Sequence, residues 1–173
     1  KGNSMKKLLC SLFALSAVST AMAQEVNIKI LGTSDIHGRV VPWSYGADVE
    51  DKSGSYAQIA TYVKDVRKNN KNVVLVDVGD AIQDNQVDVF AKDKKYYKDH
   101  PIPKVLNEMK YDVFVLGNHE FNFGMKALDE ILKDIKAKKL TANFYYKKND
   151  KRYIDATTII EKDGVKLGII GLS

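Results

Sequence analysis

Cysteine is all but missing from this chain: Cys10 is the single one in 173 residues, and it lies in an apolar stretch near the start. Beyond that stretch the polypeptide forms no disulfide, offers no thiolate to a metal and has no cysteine nucleophile. Histidine is nearly as scarce. Only His37, His100 and His119 occur, so any imidazole chemistry rests on those three. The apolar run from Leu8 to Val18 is broken by Ser and Cys and falls short of the roughly 18 residues that a membrane span needs. No basic stripe interleaved with aromatics is present, which argues against a groove for a nucleic-acid polymer. Internal repeats and low-complexity segments are absent as well.

What is present begins with a leader. Met5 is followed by Lys6-Lys7, the apolar run and then Ala21-Met22-Ala23. A basic start, a short apolar core and a small-x-small site are the marks of a secretory signal peptide. Residues 1–23 are therefore expected to be a leader that begins at Met5. Cleavage would leave Gln24 first, with no stable membrane span, and export to the periplasm or the cell exterior is expected. Residues 24–173 form the domain. The formal charge of +5 overstates that domain: the leader removes Lys1, Lys6 and Lys7 and no acids, leaving 24 bases against 22 acids. The bases are interspersed with acids, as in Lys64-Asp65-Val66-Arg67-Lys68, and read as solvated faces. Lys1–Ser4 precede the expected start, and the last residues read as a buried strand with nothing after it to cover it. Both ends suggest a piece of a longer reading frame whose carboxyl-terminal half is missing.

Strand-like and helix-like segments alternate. Strands are expected at 26–32, 73–78, 111–116, 140–144, 153–160 and 165–172, with Asp163-Gly164 turning a hairpin between the last two. Helices are expected at 56–69, 103–109 and 125–137, where apolar residues recur at three- and four-residue spacing. Apolar strands alternating with helices predict an α/β fold with a largely parallel sheet. Ligands of such sheets bind beyond the carboxyl ends of the strands. There the sequence delivers Asp35 and His37 after the first strand, Asp80 after the second, and Asn118 and His119 after the third. Asp35 and His37 are two apart and, in extended backbone, would point the same way. A carboxylate such as Asp80 can bridge two cations. Cations about 3.5–4 Å apart suit phosphate-ester hydrolysis, because they clamp substrate oxygens and acidify water. Oxygen and imidazole donors without thiolate fit Mn, Fe, Co or Zn.

Asp-x-His, Gly-Asp and Gly-Asn-His-Glu at the ends of successive strands resemble the calcineurin-like metallophosphoesterases. Thr33–Gly38, Leu75-Val-Asp-Val-Gly-Asp80 and Leu116-Gly-Asn-His-Glu-Phe-Asn122 are similar to the secreted 5'-nucleotidase and 2',3'-cyclic-nucleotide phosphodiesterase branch. The resemblance implies a sandwich of β-sheets flanked by helices, two divalent metal ions, and a nucleotide or other small phosphate ester as substrate. It implies that Asp35 and His37 hold the first metal, Asp80 bridges and Asn118 holds the second, while His119 lies near the leaving group as the catalytic residue. In the nucleotidases an Asp three residues after that His pairs with it. Asn122 stands there in this chain, as in the cyclic phosphodiesterases, which favours that substrate class. The family draws further histidines from the later half of its domain. With three histidines, this chain leaves the second metal only Asp80 and Asn118, so the fragment itself is expected to be inactive. The alternative is a non-catalytic scaffold or binding module that keeps a partial site.

Several residues carry plainer readings. His100 reads as a loop residue. Asp77 is either a hydrogen-bond acceptor behind the metal ligands or a buried structural Asp. Glu120 reads as structural rather than catalytic. Arg39 reads as a surface residue before a phosphate contact. Trp43 and Tyr45 either line a substrate cleft or pack on the domain edge, and Phe121 and Phe123 pack near the site. Asn143 faces the same rim, behind the ligands.

Overall fold

A computed structural model describes residues 25–173; the expected leader, residues 1–23, lies outside the described residues. Four parallel strands form the main sheet in the order β1-β4-β5-β6: β1 is Lys29–Thr33, β4 Val73–Asp77, β5 Val113–Val115 and β6 Lys138–Leu140. Helices α1 (Tyr56–Asn69), α3 (Pro101–Glu108) and α4 (Met125–Lys133) connect them. Strands that add in sequence order by right-handed crossovers place their helices on one face. The side chains agree. Leu75 and Phe114 pack with Tyr56, Leu106, Leu128 and Ile131. The alternate residues Val76, Val113, Val115 and Leu140 turn to the opposite face. There a hairpin of β9 (Thr157–Lys162) and β10 (Val165–Ile170) lays Ile160 and Ile169 on them. The result is an α/β layering of helices, parallel sheet and antiparallel hairpin. Among the described residues no helix is long and apolar enough to cross a membrane.

Local chemistry accounts for most boundaries. Helix α1 has the predicted ends; Ser55 caps it, its Oγ accepting from the Gln58 N–H at 3.4 Å. Near its end Arg67 donates to the carbonyls of Met109 and Lys110, which fastens α1 to the end of α3. The predicted hairpin turn is present, with Asp163 at φ 47° and Gly164 at φ 80°. Two positive φ values in a two-residue turn match the right-handed twist of the strands.

Other boundaries differ from expectation. The first strand starts at Lys29, the first residue with a partner, Val73. Helix α4 stops at Lys133 because Lys138 must pair with Val113, so 134–137 are used to turn; Asn107 braces that turn through Asp134 O and Lys136 N. Strand β6 is earlier and shorter than 140–144, since beyond Leu140 the backbone bonds instead to Asp155 and Gly171. The strand expected at 153–160 begins at Thr157 for the same reason. Small elements arise in segments for which the sequence predicts none: a two-residue ladder of β2 (Trp43–Ser44) and β3 (Val49–Glu50), another of β7 (Tyr145–Tyr146) and β8 (Lys151–Arg152), a short helix α2 (Asp88–Lys92) and a 3-10 turn at Lys94–Asp99. Helix α3 begins two residues earlier than predicted. His100 is its cap, which corrects the reading of that residue as part of a loop. Its Nδ1 accepts from the Ile102 N–H and its Nε2 lies 3.3 Å from the Ile82 carbonyl. The ring is 1% exposed, and burial pushes its pKa down to about 4.

Candidate metal centre

The pairing of β1 with β4 does not stop where the strands do. Past Thr33 and Asp77 the two loops remain bonded, through Val78 N to Thr33 O, Asp35 N to Gly79 O, His37 N to Asp80 O and Gly38 N to Ala81 O, all at 2.9–3.1 Å. Along this zipped pair Asp35, His37 and Asp80 adopt φ of 55°, 48° and 57°. Left-handed backbone is uncommon for residues with a Cβ and gathers at functional sites. It also corrects the reason for grouping Asp35 with His37: their backbone is not extended, and the loops rather than strand alternation aim them together.

The loops after β4 and β5 touch through glycine. A Cβ on Gly79 would meet Gly117 N at 2.1 Å, and one on Gly117 would meet Asp80 Oδ1 at 2.3 Å. Absence of side chains at both positions is what lets the Asp80 turn and the Asn118–His119 turn share space.

The outcome is a cluster in which one donor atom each of Asp35, His37 and Asp80 lie within 4.8 Å of one another. His37 Nε2 is 3.8 Å from Asp35 Oδ1. The other ring nitrogen, Nδ1, is 3.3 Å from the Gln83 carbonyl. A ring N–H given to a backbone carbonyl fixes the tautomer and frees Nε2, as metal-binding histidines usually do. Two carboxylate oxygens and one imidazole nitrogen fit a divalent first-row cation. Donors on one such ion, each about 2.0–2.2 Å away, lie at most about 4.4 Å apart, and the 3.8 Å between His37 Nε2 and Asp35 Oδ1 is within that span.

Two buried carboxylates stand behind this cluster. Asp77 accepts from Thr33 Oγ1 at 2.6 Å, Tyr56 Oη at 3.1 Å and Gly79 N at 3.0 Å. Thr33 has only one hydroxyl proton, so Tyr111 Oη, 2.9 Å away, donates to it. Burial pushes Asp77 up to about 6, against the pull of these hydrogen bonds. Asp77 is buried, and it holds the Gly79 turn from which Asp80 projects. Glu120 has the structural place expected of it. Its Oε2 accepts from Asp80 N and Gly117 N, both at 2.7 Å, and its Oε1 from Ala81 N at 2.7 Å and Ile82 N at 3.3 Å. One side chain thus clamps the loops after β4 and β5 together. Burial holds its carboxyl above the ordinary range, opposed by the four N–H groups.

His119 stands beside the cluster. Its ring centroid is 5.3 Å from that of His37, edge to face, and its backbone N–H donates to Asp80 Oδ1 at 2.8 Å. Asn122 Nδ2 lies 2.9 Å from His119 Nδ1. An amide N–H donated to Nδ1 leaves the proton of a neutral ring on Nε2. Asn118 precedes the short 3-10 turn His119–Phe121, exposed and without a cap bond. Asn143 is at the expected rim but is not gathered into the cluster: it exchanges hydrogen bonds with the backbone of Ser173 at 2.7 and 2.9 Å. Phe121 packs on Phe144, with ring centroids 4.4 Å apart. Arg39 is held by Asp51 at 3.2 Å and by Ser53. Sequence reasoning missed Gln83, Asn85, Thr33 and Tyr111. Gln83 acts through its carbonyl, Asn85 and Tyr111 lie in no motif, and Thr33 opens the Thr33–Gly38 motif, where only the partner of its hydroxyl, Asp77, reveals its part.

A parallel α/β sheet that delivers Asp-x-His, Gly-Asp and Gly-Asn-His-Glu to one rim defines a metallophosphoesterase domain. The chain belongs to the calcineurin-like phosphoesterase family, whose sequence profile matches residues 28–169. It is 37% identical over 165 residues to the trifunctional nucleotide phosphoesterase protein YfkN of Bacillus subtilis, covering 86% of this chain and 11% of that protein. It is 33% identical over 175 residues to the 2',3'-cyclic-nucleotide 2'-phosphodiesterase/3'-nucleotidase of Haemophilus influenzae, covering 93% of this chain and 27% of that protein. The crystal structure of Bacillus subtilis YfkN superposes with a TM-score of 0.71 at 34% identity, over 82% of this chain and 46% of that one. The chain thus spans 11% and 27% of the length of these two curated relatives and less than half of the solved one.

Proposed function

We propose that the chain is the metal-holding part of an exported phosphoesterase that hydrolyses phosphate esters of nucleotides or cyclic nucleotides with two divalent cations, Mn, Zn, Fe or Co. The observation that carries this reading is the convergence of Asp35, His37 and Asp80 with the His119 ring set against His37. Asp35, His37 and Asp80 would hold one cation, and Asp80 with Asn118 would share the second. Cations bound there supply Lewis acidity to a phosphoryl oxygen and lower the pKa of water. The chain's own residues do the rest. Glu120 and Asp77 keep the loops in place, and His119 holds a proton at Nε2 for the leaving oxygen while Asn122 occupies Nδ1. Asn122 in place of a carboxylate, together with the cyclic phosphodiesterase among the relatives, supports a cyclic nucleotide as substrate. The Lys6–Ala23 pattern supports export.

Asp80→Asn in the complete protein tests the reading, with hydrolysis of 2',3'-cyclic AMP and bound metal measured together. Both should fall; retained activity would remove Asp80 from the bridging role. A second reading, a binding module with a partial site, is favoured by the donor count, since the described residues gather three titratable ligands around one point. On that count the 173-residue polypeptide alone is inactive. Metal analysis after dialysis separates the two: two ions with hydrolysis in the complete protein support the enzyme, and at most one ion without hydrolysis supports the module.

A further inference from the structure

His37 occupies a left-handed conformation, with φ 48°, that a residue with a Cβ keeps only where its surroundings over-determine it. Three contacts do so. Its N–H donates to the Asp80 carbonyl at 2.9 Å. Its ring Nδ1 faces the Gln83 carbonyl at 3.3 Å. Its own carbonyl accepts from Asn85 Nδ2 at 2.5 Å. Two of the three come from one loop, residues 83–88, and Asn85 is the one that contributes a side chain.

Asn85 is set in that loop so as to face His37. Asp84 and Asn85 have φ of 82° and 75°, and Asn and Asp visit left-handed backbone more readily than other residues with a Cβ. Asn85 Oδ1 accepts from the Val87 N–H at 3.2 Å, which aims Nδ2 at His37. The reverse orientation of the amide would set NH₂ against N–H and oxygen against carbonyl. Asp84 Oδ1 accepts from Asn85 N at 3.1 Å, and Asp88 Oδ1 from Asp84 N at 2.8 Å. Val87, the one buried residue of this loop, presses on the residue after His37: a Cβ on Gly38 would meet Val87 Cγ2 at 2.1 Å. The other side of the loop is open, since Asn85, Gln86 and Val87 border a cavity of about 440 Å³. Nothing packs the loop onto His37 from there, so its hydrogen bonds must hold it.

We propose that Asn85 is a positioning residue of the metal centre: its amide fixes the His37 backbone so that Nε2 stays directed at the ion shared with Asp35 and Asp80. This role rests on the metal-centre reading above. Titration of the metal-free complete protein with Co²⁺ tests it, because the d–d absorption of bound Co²⁺ reports on the geometry of its ligands. Asn85→Gly keeps the left-handed backbone and removes both side-chain bonds. Asn85→Asp keeps the acceptor for Val87 N–H and removes only the donor to His37, while its added charge would by itself favour a cation. Each variant should weaken Co²⁺ binding on the order of 10–100-fold and shift the d–d band at saturation, with His37→Ala as the reference. A residue that only stabilised the fold would lower the melting temperature and leave the saturated spectrum as in the parent, and that result would overturn the proposal. Parent-like affinity in Asn85→Asp would overturn it too, because the Val87 contact would then be the one that matters. If His37→Ala loses affinity and neither Asn85 variant does, the positioning role fails and the metal centre stands. If His37→Ala binds Co²⁺ as the parent does, both fail.

Discussion

Glu120→Gln is the substitution on which the architecture of this site can be judged most directly. The change is nearly isosteric and removes one charge. In the parent, Oε2 takes the N–H groups of Asp80 and Gly117, and Oε1 takes those of Ala81 and Ile82. Glutamine can satisfy one such pair with its oxygen. Its NH₂ must then face the other pair, donor against donor, leaving two buried N–H groups without an acceptor. Each costs about 1–3 kcal/mol. Relief from burying a carboxylate offsets part of that, because burial already holds Glu120 above its ordinary pKa. A net loss of about 3 kcal/mol is expected, a large share of the roughly 5–15 kcal/mol that stabilises a domain. At about 2–4 °C per kcal/mol for a domain of this size, the melting temperature should drop by about 6–12 °C. Circular dichroism melts of parent and variant at neutral pH measure this. A divalent-cation titration should weaken in parallel, because Asp80 and the Asn118–His119 turn lose their common anchor. A variant that melts within about 2 °C of the parent would mean that the four contacts do not hold the loops, and the account of the site as a clamped pair of loops would be wrong.

Other outcomes follow from the same geometry. His100 has a folded pKa of about 4 against about 6.5 unfolded. A depressed base gives stability that is complete above pH 6.5 and lost as pH falls toward 4, about 2 kcal/mol by pH 5. Urea midpoints at pH 5 and 7.5 should show that loss, and His100→Asn, which keeps a capping acceptor, should flatten it. Asp77 has the opposite sign: its folded pKa of about 6 is raised, so its contribution is full below about 3.9 and lost as pH rises through 6. Asp77→Asn should gain relative to the parent between pH 4 and 8, read from the same midpoints, because the Thr33 and Tyr56 hydroxyls can reverse to accept from the new amide. Gly117→Ala sets a methyl 2.3 Å from Asp80 Oδ1; it should cost about 1–3 kcal/mol as overpacking and, in the same metal titration, lower cation affinity by moving a ligand.

Much of this was readable from residue order. The apolar runs ending at Asp77 and near Leu116, and the spacing of Tyr56, Ile59, Ala60, Val63 and Val66, specify β4, β5 and α1 because each is a local pattern: a short continuous apolar run for a strand covered on both faces, and a helical stripe for one buried face. The three motifs also identified the rim, since strand ends in a parallel sheet all arrive at one edge. What was not readable depends on partners distant in the chain. The end of α4 and the span of β6 are set by pairing to Val113 and bonding to Gly171. The capping of α3 by His100 needs the Ile82 carbonyl from another loop. The left-handed turns at Asp35, His37 and Asp80 follow from bonds between two loops that periodicity does not register. The separation of Asn143 from the cluster is fixed by Ser173, thirty residues away.

The zipper that extends β1 and β4 past their ends bears on kinetics. Four backbone hydrogen bonds already hold the turns that carry Asp35, His37 and Asp80. Cation capture then needs side-chain rotation, on the picosecond-to-nanosecond scale for exposed groups, and no slower loop rearrangement. Exchange of one divalent ion for another at this cluster should therefore be paced by how readily the ion sheds water, with slowly dehydrating Mg²⁺ trailing the transition metals.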